Sequence, residues 1–228
     1  MARSGVGAGL ADRLSWGLLL AWAVAIGLTF DQYGLSNDEE VQHTYGRLLL
    51  AYLSSGFADE GLFAYKNLYL YGGFFDLLAA LAETVWPAAN PWDLRHGLSA
   101  LFGLAGLAGV WVLGRWLAGP ATGLAAVVIL SLTGAWTGAM FTHTKDVPFA
   151  TTMVWALYFS VRVVSALPRP ALRHALGLGL ALGCAFGLRV GAVFAVFYLG
   201  MGMLFMAWRE GSSAVPRLVF LARSLAAI

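Results

Sequence analysis

An all-α polytopic membrane protein of about six transmembrane helices is the fold class that three features of the 228-residue chain predict. Hydrophobic residues make up 60% of it, and 28 glycines raise the apolar share further above the roughly 45–50% of soluble domains. Charged residues account for only 11%, against about 25% in ordinary globular chains, too few to cover a water-facing surface. The apolar residues also fall in uncharged runs close to the roughly 20 residues that a membrane crossing requires.

The first run is Leu14–Phe30, preceded by Arg3 and Arg13. Ala23-Val24-Ala25 formally fits a signal cleavage site, but the apolar run continues past it and more follow, so an uncleaved first span is expected. The next runs are Gly97–Gly114, Trp116–Thr142 and Val147–Val161. Ala175–Trp208 as one helix would be about 51 Å long, too long for one crossing. It is read as two spans, Ala175–Leu188 and Val190–Trp208, with Arg189 at their shared end. Gly179, Gly183, Gly187 and Gly191 recur every fourth residue, a stripe suited to close helix packing.

Asn67–Trp86 is interrupted by Asp76 and Glu83, seven residues apart and therefore on one helical face. That pattern suits an interfacial helix rather than a span. With this segment outside the count and the N-terminus cytoplasmic, nine of the 14 Lys and Arg residues lie inside. Arg47, Lys66, Arg95, Lys145 and Arg189 lie outside. The expected architecture is a long acidic first outer loop, 31–95, carrying juxtamembrane helices. Pro216–Ile228 resembles the approach to a further span, so the C-terminal part of a longer protein is expected to follow.

Dispersed basic residues give no nucleic-acid footprint. The single Cys184 excludes an intrachain disulfide framework and a cysteine metal site. No phosphate-binding glycine loop, metalloprotease helix or nucleophile elbow is present.

Two constellations carry chemistry. Ser36-Asn37-Asp38-Glu39-Glu40 precedes an apolar stripe at Val41, Tyr45, Leu48, Leu49, Tyr52 and Leu53. Ser36 and Glu39 have the capping-box spacing, so the acids start a helix, serve as base or metal ligand, or both. His143-Thr144-Lys145-Asp146-Val147-Pro148 lies between two spans, as a tight turn or as an ammonium–carboxylate pair facing a lipid phosphate and a hydroxyl nucleophile. Arg189, bounded by apolar runs, either snorkels to the interface or serves function. His43, His96 and His174 have no ligand-like partners at helical spacing and read as structural.

The order of these motifs resembles the GT-C superfamily of polyprenyl-phosphate-dependent glycosyltransferases, including protein O-mannosyltransferases and aminoarabinose transferases. Asp38-Glu39 matches the first acidic motif of that superfamily. His143–Phe149 resembles the second, in the Lys-Asp-x-Pro-Phe form, and Gly177–Arg189 resembles a Gly-rich span ending in a basic residue. Asn67–Gly73 stands where many members have a Pro-Pro-Leu element and lacks those prolines. The resemblance covers the N-terminal half of a typical member over residues 1–228. It implies inverting transfer of a sugar from a polyprenyl-phosphate donor to a protein, lipid or glycan acceptor on the non-cytoplasmic face of a bacterial inner membrane. Asp38 is then the catalytic carboxylate, supported by Glu39 and Asp146. His143, Lys145 and Arg189 become substrate-binding candidates, the two cations chosen by charge and side. A divalent cation is a possible cofactor in the superfamily. A non-catalytic subunit that binds lipid-linked sugar is the rival reading. A transporter fits less well, because the acids lie in outer loops rather than at midplane.

Overall fold

The computed structural model describes residues 6–36, 38–210 and 214–226. Every regular element among them is helical. The chain divides into two compact units, Met1–Thr151 and Thr152–Ile228.

In the first unit, α1 (Val6–Thr29) leaves Leu10, Leu14, Leu20 and Leu28 exposed, as a lipid-facing helix must. Its other side packs on α4 (Pro91–Ala118) and α5 (Pro120–Leu132). The Arg115 guanidinium donates two bonds to the Asp12 carboxylate, at 2.8 and 3.0 Å, and fastens α1 to the end of α4. Between α1 and α4 lie α2 (Glu39–Ser54), three short 3-10 turns and α3 (Phe74–Val85). With 12 residues α3 is about 18 Å long, short of a crossing.

Among the described residues four helices are long and apolar enough to cross a membrane: Gly7–Gln32, Pro91–Ala118, Asp146–Val164 and Val190–Arg209. The run expected as one straight span, Trp116–Thr142, is corrected. Residues through Ala118 continue α4, and Gly119, at φ 95°, turns the chain into Pro120. Only glycine takes that φ without strain, and proline fits the first turn of the next helix. The remainder is a broken span, Pro120–Leu132 plus Gly134–Thr142, bent by 67° at the non-helical Thr133. Its second half forms α6 (Gly134–Thr137) and α7 (Ala139–Thr142). These pack on α4 where Gly103 and Gly106 replace side chains: a Cβ there would overlap Met140 and the Trp136 ring.

The helix α8 (Asp146–Val164) begins in the first unit and continues in the second. There it joins α9 (Leu172–Leu188), α10 (Val193–Glu210) and α11 (Ala214–Leu225) around Val163, Leu178, Met203 and Phe220. The short span expected over Ala175–Leu188 lies in α9, which with 17 residues is an apolar helix shorter than the candidate crossings. At two members of the glycine stripe expected to pack there, Gly179 and Gly183, nothing lies within 4 Å of an added Cβ. Close approach occurs instead at Gly177, against the Phe159 ring.

Candidate active site

The first acidic motif divides its labour at the start of α2. Asn37 lies outside the described residues, whereas Asp38 and Glu40 are exposed and Glu39 is fully buried. The Ser36 amide donates to Glu39 Oε2 at 2.7 Å, which is the return half of the expected capping box. His96, in the second turn of α4, places Nε2 3.0 Å from Glu39 Oε1 and 3.3 Å from Oε2, the hydrogen bond being to Oε2. Burial raises the Glu39 carboxyl. The His96 and Ser36 hydrogen bonds, with Arg95 nearby, outweigh it and hold the group below its ordinary value. Glu39 is thus a fastening between the loop, α2 and α4.

The acids of α3 likewise face inward rather than toward water. The Asp76 carboxylate accepts from Arg95 Nη2 at 2.7 Å, with both side chains buried. Burial pushes the Asp76 carboxyl above its usual range, against the pull of Arg95. Glu83 Oε2 lies 3.0 Å from His43 Nε2 on α2, and the His43 ring packs on Trp92 at 5.0 Å. The helices α2 and α3 touch at Gly46, where a Cβ would overlap the Asp76 carbonyl oxygen. The buried side of α2 is therefore Glu39, Gln42, Tyr45 and Gly46, rotated from the apolar stripe read in the sequence.

A side-chain contact ties the second motif to the helix that follows the first. The buried Thr144 hydroxyl donates to the Gln42 carboxamide oxygen, across 102 residues of chain. Gln42 lies one turn beyond Asp38 and donates its amide to the Asp38 carbonyl at 3.0 Å. Thr144 lies two residues before Asp146, the first residue of α8. His143 and Asp146 are exposed, with Nδ1 and Oδ2 3.8 Å apart, close enough for attraction but too far for a hydrogen bond. Lys145 places Nζ 5.6 Å from the Tyr71 ring centroid. The Thr144–Gln42 hydrogen bond thus brings the turn that precedes α8 against the first turns of α2. Arg189 follows α9 in the second unit, exposed at the break before α10.

Sequence reasoning missed Gln42, Asp76, Arg95 and His96. Glu39, Gln42, Thr144, Asp76, Arg95 and His96 share one physical signature, polar groups buried beside helix ends, that no local spacing discloses. Among the described residues no three His, Cys, Asp or Glu side chains gather where they could hold a metal ion. Glu39, the motif's second carboxylate, is already engaged by His96. The described donor set does not fit a metal centre built from protein ligands alone.

The model of one family, dolichyl-phosphate-mannose-protein mannosyltransferase, matches residues 74–228. The chain belongs to this mannosyltransferase family. Membership makes it a membrane glycosyltransferase of the GT-C superfamily that depends on a sugar carried by a lipid phosphate. The match begins at the first residue of α3, so it contains Asp76, Arg95, His143–Asp146 and Arg189, while Asp38 and Glu39 precede it. Comparison with curated proteins and with solved structures gives no match.

Proposed function

We propose that this protein transfers a sugar from a polyprenyl-phosphate donor to an acceptor hydroxyl on the non-cytoplasmic face of a bacterial inner membrane, with its N-terminus in the cytoplasm. The donor named by the family description, dolichyl-phosphate mannose, sets mannose as the first sugar to test. In this reading Asp38 is the general base. Its carboxylate takes the acceptor hydroxyl proton as that oxygen attacks the anomeric carbon and the carbon–oxygen bond to the lipid phosphate breaks. The departing phosphate gains negative charge, which Lys145, the cation of the second motif, offsets. Asp146 and His143 orient the acceptor, and Glu39 holds the rotation of α2.

The observation that carries this reading is the Thr144–Gln42 hydrogen bond, which ties the Lys145-Asp146 turn to the helix that begins beside Asp38. Exposure adds support. Asp38 is exposed at the start of α2, where an acceptor hydroxyl can reach it.

Membranes containing the protein, supplied with radiolabelled polyprenyl-phosphate mannose and an acceptor mixture, test it. Release of free polyprenyl phosphate coupled to labelled acceptor is expected. Donor binding without release would favour the non-catalytic subunit instead.

A further inference from the structure

A second cleft lies on the same outer-loop helices, away from the acidic motifs. It has a volume of about 540 Å³, within the range of small-ligand sites, and opens between α2, α3 and the start of α4. Arg47, Ser54, Glu83, Thr84, Trp86 and Pro91 line it. Arg47 is nine residues past Asp38, so the cleft starts about 14 Å farther along α2.

Its charges are arranged unusually. Among the described residues Arg47 has no ion-pair or hydrogen-bond partner, although Glu83 lines the same cleft. Glu83 Oε2 is paired with His43, while Oε1 has no hydrogen-bond partner. Opposite charges in one cleft that do not reach each other suit a ligand carrying both signs. An anion alone would face Glu83, and a cation alone would face Arg47. The hydroxyls add to the cation side. Thr84 Oγ1 donates to the Leu81 carbonyl at 2.7 Å and Ser54 Oγ to the Ala51 carbonyl at 3.2 Å. Their protons are spent, so they meet a ligand as acceptors.

The position decides the ligand class. The cleft sits where α4 enters its apolar run, flanked by the exposed Trp86 and by Trp92, residues that mark the headgroup level of a bilayer. We propose that this cleft binds the headgroup of a zwitterionic aminophospholipid, its phosphate on Arg47 and its ammonium on Glu83 and the neighbouring hydroxyls. The proposal rests on α4 crossing the membrane and is independent of the transfer reaction.

The test uses the whole chain purified in a neutral detergent, with dihexanoyl phosphatidylethanolamine and dihexanoyl phosphatidylglycerol as probes and retained lipid read by native mass spectrometry. Phosphatidylethanolamine should be retained on the order of tenfold better, the scale of one or two charge-assisted hydrogen bonds. Arg47→Gln should reduce binding of both lipids, and Glu83→Gln should abolish the preference between them. Soluble phosphoethanolamine separates the sources. Competition by it assigns the site to the free headgroup, and failure to compete assigns it to the membrane lipid. Arg47 is exposed and bonds to nothing described in the chain, so its replacement remains decisive if Glu83→Gln unfolds the loop. Equal retention of the two lipids by the unaltered protein, or unchanged binding in Arg47→Gln, overturns the proposal.

Discussion

The Thr144 hydroxyl and the Gln42 carboxamide meet in a buried hydrogen bond that joins the turn before α8 to the first turns of α2. Each side chain is adjacent to a candidate site residue without being one. Thr144→Val should therefore lower transfer by misplacing Lys145 and Asp146, with an unpaired Gln42 oxygen costing about 1–3 kcal/mol of stability. Gln42→Leu should do the same from the other side. In the double variant both polar groups are gone, so stability should recover toward the parent while activity stays low. Thermal unfolding in detergent, alongside transfer assays on the four proteins, reads both quantities. Strictly additive stability losses would show that the contact couples nothing.

The Asp76–Arg95 pair should respond asymmetrically to removal of either partner. Asp76→Leu leaves a buried guanidinium that cannot lose its proton, at a cost of about 3–5 kcal/mol. Arg95→Met leaves a carboxyl that burial already pushes upward, and it escapes its charge by taking a proton. Arg95→Met should yield more folded protein than Asp76→Leu, and the double replacement should exceed the latter. Size-exclusion profiles of the three variants decide the order.

Acid should loosen the start of α2. Glu39 is held below its ordinary value of 4.5, so its contribution to stability is fully present above that pH and is lost as the pH falls through its folded value. Asp76 has the opposite sign. Its value is raised above 3.8, so its contribution is present below that pH and fades as the pH rises through the folded value. Glu39→Gln should flatten the acid-side fall of the unfolding temperature below about pH 4.5. An unchanged acid limb would place the titrating group elsewhere.

Asp38 carries the test of mechanism. A charge at a first turn contributes only about 0.3–1 kcal/mol, and asparagine is itself a good cap, so Asp38→Asn should fold. Loss of a positioned base lowers rate by about 10²–10⁴. Glu40→Gln, also exposed in the same turn, controls for the charge change. Near-normal turnover in Asp38→Asn, or equal damage in both, assigns the carboxylate to structure alone.

Sidedness can be read by labelling. With Cys184 replaced, cysteines at the exposed positions Leu35 and His143 should both react with an impermeant maleimide in intact cells. Reaction at one position alone would contradict a common outer face for the two motifs.

The helices were legible because apolar runs are local and long: all six runs fall in helices, although among the described residues four are long and apolar enough to cross, five if the bent pair counts as one. The bend was also written in the sequence, since Gly119-Pro120 is a helix stop followed by a helix start, but uniform hydrophobicity across Trp116–Thr142 concealed it. The exposed candidates, Asp38 and Asp146, stand out in the sequence by their local acidic constellations, to which the family resemblance adds. Gln42, Arg95 and His96 were not, because their partners lie 102, 19 and 57 residues away and a lone polar residue carries no trace of them. Asp76 and Glu83 were correctly placed on one face, but that face turns to the buried Arg95 guanidinium and the partly buried His43 imidazole instead of water.

Consecutive side chains on a helix point about 100° apart, so two neighbouring acids cannot aim at one atom. Asp38 and Glu39 make use of that divergence. The inward acid acts as a keel: captured by His96 and the Ser36 amide, it fixes the heading of α2 about its own axis and so points its neighbour outward. An acidic dipeptide at a membrane surface can therefore be an instruction about orientation as much as a pair of reagents. Exchanging the two residues would keep composition and charge yet send the shorter arm to the anchor and the longer one to the substrate, leaving both mismatched in reach.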